Sequence, residues 1–138
     1  MSATDTPRPI DRALAHWHEM VETRDPSGLG EFLHDDVVFH SPVVFTPVPG
    51  KALTAKYLEA AFVTFISGGE FRYTSETVDG DLAVLQFETT MNGKYVNGVD
   101  MIRVDADGRV IEFRVMIRPL QAVHAVHELM GNQLAADG

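Results

Sequence analysis

One acidic side chain stands in an otherwise apolar strand. Asp100 lies within Tyr95–Val104, and at the two-residue period of a strand it shares a face with Ile102 and Val104. A carboxyl group among apolar neighbours loses hydration, which disfavours the charged form and lifts its pKa. Such a group donates a proton or a hydrogen bond near neutral pH. The plainer alternative is a structural aspartate bonded to the Trp17 N–H or the Tyr57 O–H. Both readings require Asp100 to be buried. Tyr57 falls on the buried side of a helix, so its hydroxyl meets Asp100 or a ligand, or else sits at the rim of the core. Trp17, the only tryptophan, lies on a helix that faces the sheet and serves as core filler, ligand contact or both.

The other polar candidates resolve into blander roles. His40 and Ser41 are neighbours on a strand and face opposite ways, which argues against a Ser–His nucleophilic pair. With Ser41 inward, His40 points outward, to solvent or a partner subunit. His16 and His18 lie on different helix faces. His124 and His127 sit one turn apart and would need a carboxylate from elsewhere to hold a metal, so no metal site is expected. Arg114 and Arg118 alternate with Phe113, Val115 and Ile117. The apolar three then face inward, and the arginines face out, within reach of Arg103 and Glu112 across strands. There is no glycine-rich phosphate loop, no G-x-S-x-G turn and no zinc spacing, and no cofactor is expected.

These side chains need elements to hold them. Met1 to Pro9 is polar, carries two prolines, and reads as a flexible lead into a single domain over 10–135. Ile10 to Arg24 reads as a helix, with Ile10, Leu14, Trp17 and Val21 as its apolar stripe. Asp25-Pro26 stops it. A short helix over Ser27 to His34 and a strand at Val37 to Phe39 follow. Pro42, Pro47 and Pro49 make the next stretch irregular. Gly50 to Phe65 reads as a third helix, burying Leu53, Tyr57, Leu58, Ala61, Phe62 and Phe65, and Ser67-Gly68-Gly69 ends it. Phe71–Val78, Leu82–Met91, Tyr95–Val104 and Val110–Arg118 read as strands. Asp79-Gly80-Asp81, Asn92-Gly93 and Asp107-Gly108 join them as tight turns. Asn97-Gly98 in mid-strand predicts a bulge or kink. Leu120 to Leu134 closes the chain as a helix with Leu120, Val123, His127, Met130 and Leu134 on one stripe. Helices followed by a meander give an α+β fold whose twisted antiparallel sheet curls around the helices and leaves a pocket on its concave face.

The bulk numbers suit one such domain, with 138 residues, 45% of them hydrophobic. The 20 acidic and 11 basic side chains give a net charge of -9, which repels nucleic-acid phosphates and anionic membrane surfaces. No segment is long and apolar enough to span a membrane. The chain has no cysteine, which removes disulfide and thiolate chemistry and fits a cytoplasmic location.

Three stretches resemble the NTF2-like superfamily, which includes ketosteroid isomerases and SnoaL-type polyketide cyclases. Phe32-Leu33-His34-Asp35-Asp36-Val37-Val38-Phe39-His40-Ser41-Pro42 is similar to its helix-to-first-strand passage. Gly50-Lys51 opens a helix as that family does. Gly98-Val99-Asp100-Met101-Ile102-Arg103-Val104-Asp105-Ala106-Asp107-Gly108-Arg109-Val110-Ile111 is similar to its closing hairpin. The resemblance implies a cone of three N-terminal helices packed in a curved antiparallel sheet, here with an added C-terminal helix.

In the ketosteroid isomerases a tyrosine and a protonated aspartic acid hold the oxyanion, and a carboxylate before a proline moves the proton. Asp100 matches the late-strand acid, Trp17 stands at the tyrosine position, and Ser41 stands at the carboxylate position. That proton shuttle is therefore incomplete. An epoxide hydrolase of the superfamily uses an inward Asp–Arg–Asp set, which has no match here.

The expected pocket takes Leu14 and Trp17 from the first helix and Phe39 and Ser41 from the first strand. Tyr57, Leu58 and Phe62 come from the third helix. The sheet adds Leu85 and Phe87, Asp100 and Ile102, then Phe113, Val115 and Ile117. A small, mostly apolar molecule is the expected ligand. Asp100 would serve an isomerase-, cyclase- or dehydratase-like reaction, with Tyr57 as a weaker second candidate. A non-catalytic binding module and a dimeric interaction protein are the alternatives. Val99, Met101 and Met116 on the outer sheet face suggest a homodimer, which the resemblance also implies.

Overall fold

The computed structural model describes residues 7–66 and 70–137, with side chains through 135. Residues 1–6 of the expected lead and the Ser67-Gly68-Gly69 helix stop lie outside the described residues. Helix α1 spans Pro9–Thr23, with proline at its first position, where a missing N–H costs nothing. Its inward stripe is Ile10, Ala13, Leu14, Trp17 and Met20, and Val21 is only partly buried against the core. A 3₁₀ turn at Pro26–Gly28 leads into α2, Leu29–Phe32.

The second helix ends earlier than the sequence suggests. Leu33 has extended backbone and already pairs with Val110, so β1 runs Leu33–His40. Strand β2 is the two-residue Val48–Pro49, paired with β1 inside the proline-rich stretch. Helix α3 spans Lys51–Ala61 and widens into a π-helical turn at Phe62–Ile66. Strands β3 (Arg72–Asp79), β4 (Leu82–Met91), β5 (Lys94–Val104) and β6 (Val110–Arg118) precede α4, Leu120–Asp137.

The six strands form one open sheet in the order β2-β1-β6-β5-β4-β3. The meander β3 to β6 is antiparallel throughout, and Asn92-Gly93 makes its middle turn with both residues at positive φ. One correction concerns β1, which pairs parallel with β6. The long crossover through α3 and the meander returns the chain beside β1 in the same direction.

A second correction concerns Gly98. Its register with β4 and β6 is continuous, so no bulge occurs there. Glycine is needed for close approach, because an added Cβ would lie 2.5 Å from both the Met116 carbonyl oxygen and Phe87 Cζ. The register breaks lie at Leu33/Val38, Tyr73/Ser75 and Arg103/Val104, where bulges bend the sheet.

Helix α4 packs on α3, β5 and β6 through a face different from the expected one. Ala122, Val126 and Met130 are buried at four-residue spacing, while Leu120 is exposed. On α3, Leu53 is likewise exposed, because the helix buries Thr54, Leu58 and Ala60 instead.

Candidate functional site

Strand β5 places Asp100 on its buried face between Val96 and Gly98 on one side and Ile102 and Val104 on the other. Its cross-strand neighbours are Leu85 and Val115, so the sheet surrounds it with apolar side chains. Asp100 is 6% exposed. Loss of hydration pushes its carboxyl up to about 7, against an opposing pull from a hydrogen bond donated by Tyr73.

That bond comes from β3. The Tyr73 hydroxyl donates to Asp100 Oδ2, and the Trp17 Nε1–H donates to the Tyr73 oxygen at 2.8 Å. Burial, then the charge of Asp100, raise the Tyr73 hydroxyl well above its ordinary pKa, so it keeps its proton and acts as a donor. The three residues form a chain of one-way hydrogen bonds from α1 through β3 to β5. Among the described residues no hydrogen bond reaches Asp100 Oδ1. When Asp100 is neutral, this oxygen is free to carry a proton toward a bound molecule.

The bulge after Tyr73 explains how an edge strand supplies this group. Tyr73 lies opposite Phe87, then the register slips, so that Glu76 lies opposite Leu85 on the same face. Glu76 there meets His18 of α1 at 2.7 Å, and the His18 ring stands edge-on to Tyr73. The slip thus holds Tyr73 inward while keeping β3 in contact with α1.

A cavity of about 40 Å³ opens beside Asp100, which at roughly 10–15 Å³ per water centre is room for about three waters. Of the fourteen expected lining residues, it meets Trp17, Phe39, Ser41, Leu58, Phe87, Asp100, Phe113 and Val115. Leu14, Phe62, Leu85 and Ile102 are buried in the surrounding core instead, and Ile117 packs against Gly98. Tyr57 does not reach Asp100. Helix α3 crosses β1, so the Tyr57 ring rests on Phe39 at 5.6 Å.

The cavity also has walls that sequence reasoning missed. Pro42 and Val43 come from the loop after β1, Ala61 from α3, Phe65 and Ile66 from the π-helical turn, Phe71 from the residue before β3, and Tyr73 from β3. Val126 and Met130 of α4 complete it. The Phe71/Tyr73 alternation was the available signal for the β3 wall. The π-helical turn adds one residue per turn and brings both Phe65 and Ile66 to the cavity.

Ser41 sits in the cavity with its Oγ accepting the Val43 N–H at 3.2 Å, leaving its O–H free to donate. Among the described residues no carboxylate besides Asp100 lines this space, and no histidine does. On the opposite sheet face, His40 lies 3.3 Å from Glu112, which also holds Arg114. Arg103 pairs with Asp81. Among the described residues no cluster of three or more His, Asp or Glu could hold a metal ion, and no helix is long and apolar enough to cross a membrane.

An open, curved α+β cone whose concave face holds a buried acid is a fold with known relatives. Residues 14–113 match the model of the SnoaL-like domain, and the chain belongs to that family of NTF2-like proteins. A steroid delta-isomerase from Pseudomonas aeruginosa is 36% identical, with 94% of each chain covered and a TM-score of 0.88. An uncharacterised bacterial protein with a cystatin-like fold from Silicibacter pomeroyi is 27% identical, covering 88% of this chain and 84% of that one, at TM-score 0.80. An NTF2-like protein of unknown function from Mesorhizobium loti shares the fold at 22% identity, with 80% and 92% covered and a TM-score of 0.71. No curated protein matches significantly.

Proposed function

We propose that this protein binds a small, mostly apolar molecule carrying one acceptor oxygen and acts on it through Asp100 as acid or oxyanion donor. The observation that carries the reading is the buried Asp100 carboxyl, pushed up to about 7 and facing an aromatic-walled cavity. Tyr73, held in turn by Trp17, fixes its orientation through Oδ2. A carbonyl oxygen beside Oδ1 would receive the acid's hydrogen bond. Negative charge developing there would be stabilised most, because the lining is almost wholly apolar and the donor is already aligned. An isomerase-like reaction on a ketone fits this chemistry and the 36% identity to a protein described as a steroid delta-isomerase.

A second reading has its own support. By the resemblance to the ketosteroid isomerases, Ser41 stands where their proton-moving carboxylate does, and its oxygen is already engaged with Val43. A pocket with donors but no base suits a binding module. One assay separates the two. With 3-cyclohexenone as probe, binding followed by NMR is expected to weaken as pH rises through about 7 and to fall about tenfold in Asp100→Leu, which has a similar size but no donor, the loss of roughly one good hydrogen bond. Binding that ignores both pH and the substitution would sink the acid role. Growth of conjugated-enone absorbance marks an enzyme, and binding without it marks a carrier.

We also propose that the outer sheet face, with Met116 half exposed beside Val99 and Met101, pairs two copies of the chain. Light scattering is expected to give twice the 15.2 kDa chain mass, and Met116→Glu to return it toward one. A monomeric wild type would end this proposal.

A further inference from the structure

The inner cavity is too small to hold more than a few atoms, yet it is not isolated. A second, larger cleft of about 270 Å³ lies outside it, between the C-terminal half of α1 and the start of β3. The two spaces share three lining residues, Ile66, Phe71 and Tyr73. Those side chains are therefore a partition one residue thick. On the inner side lies Asp100. On the outer side lie His18, Glu22, Arg24 and Arg72.

The partition is built to yield. Strand β3 is the edge of the sheet, paired only with β4, and is mostly exposed along its length. The register slip directly after Tyr73 leaves Thr74 without a ladder partner. Phe71 precedes the strand and is held by ring contacts with Phe87 and Tyr73, both at 5.0 Å. The opposite wall is different in kind. Val126 and Met130 belong to an eighteen-residue helix packed on α3, β4, β5 and β6.

We infer that ligands reach Asp100 by displacing this partition, and that the inner cavity and outer cleft are two halves of one elongated binding site. On the functional reading above, the ligand is apolar at the Asp100 end and polar at the end beside His18, Arg24 and Arg72. Phe71 sets the size of the passage. Because Tyr73 belongs both to the partition and to the Asp100 hydrogen bond, opening the passage frees Oδ2 as well as Oδ1.

Trp17 lines the inner cavity, is 3% exposed and is the only tryptophan, so its fluorescence reports access to that space without any ligand. Acrylamide quenching is to be compared in the wild type, Phe71→Ala and Met130→Ala, each checked by circular dichroism for an intact fold. Phe71→Ala is expected to raise the quenching constant several-fold, while Met130→Ala leaves it near the wild-type value. Phe71→Leu, which thins the wall less, should fall between the wild type and Phe71→Ala. A larger rise in Met130→Ala would place the route at α4 and overturn the inference. Equal rises would mean general loosening and no change would mean no passage; either also overturns it. Should Asp100 prove to be an ordinary carboxylate, the function proposed above falls while this quenching pattern stands.

Discussion

Raising the pH from about 4 to 8 is expected to weaken the folded protein by about 4 kcal/mol through Asp100 alone. The carboxyl sits at about 7 when folded and near the ordinary aspartate value of about 3.9 when the chain unfolds. Between those values the native state holds one proton that the unfolded state has released. Stability then falls with rising pH, at close to 1.4 kcal/mol per unit where the difference is complete. The contribution is flat below about 4, declines through about 7, and is flat again above.

Surface carboxylates behave with the opposite sign. Asp11, Asp25, Asp35 and Glu88 are held below their usual range by hydrogen bonds, led respectively by Arg8, Ser27, Lys51 and Tyr95. Their stabilisation is present above the ordinary carboxylate range and is lost only as pH falls. Asp100→Asn isolates the one in question. It keeps the shape and an acceptor for Tyr73 but removes the titration. Urea unfolding at pH 4.5 and pH 8 should show the wild type losing ground to the Asn variant by a few kcal/mol across that window. Parallel pH curves for the two proteins would mean that Asp100 is not desolvated.

The same aspartate shows what the sequence could disclose. Strand parity alone put Asp100 on the buried face with Ile102 and Val104, because a ladder without slips keeps every second residue on one side. Strand β5 has no break before Arg103, so the parity held across the site. Strand β3 does slip, and there the pattern misled. Glu76 shares a face with Tyr73 although their spacing is odd, so the alternation that runs through Phe71 and Tyr73 breaks directly after the residue that holds Asp100.

Tyr57 took the plainer of its two readings, packing on the core instead of meeting Asp100. Helical periodicity says which face is inward but not which strand lies beneath it, and α3 crosses β1 rather than β5. The helix end was similarly opaque. A π-helical turn shifts the phase of Phe65 and Ile66, and the 3.6-residue period has no term for it. The α4 face was misjudged because Leu120 looked like an anchor. Its neighbours place it at the exposed start of the helix, and small Ala122 takes the buried position.

The largest loss from a single truncation is expected at Trp17, because it joins the core to the hydrogen-bond chain. Its indole stacks on Phe32 at 5.3 Å and meets Phe62 and Phe113 edge-on at 5.6 and 5.1 Å. Trp17→Ala empties the space between three rings and merges it with the cavity, a change that costs about 3–5 kcal/mol in a tight core. It also strips the Tyr73 oxygen of its donor. Trp17→Phe separates the two effects. It preserves most of the ring packing and removes only the N–H, so its cost should be nearer that of one hydrogen bond, about 1 kcal/mol. The missing N–H carries a further consequence. Donation from Trp17 favours release of the Tyr73 proton. Without that donation Tyr73 gives its own proton less readily to Asp100, and the lowering effect of Tyr73 on the carboxyl weakens. Carboxyl NMR on Trp17→Phe should therefore find Asp100 titrating higher than the wild-type value of about 7. A lower value, or an Ala variant as stable as the Phe variant, would show that Trp17 supports neither the rings nor the acid.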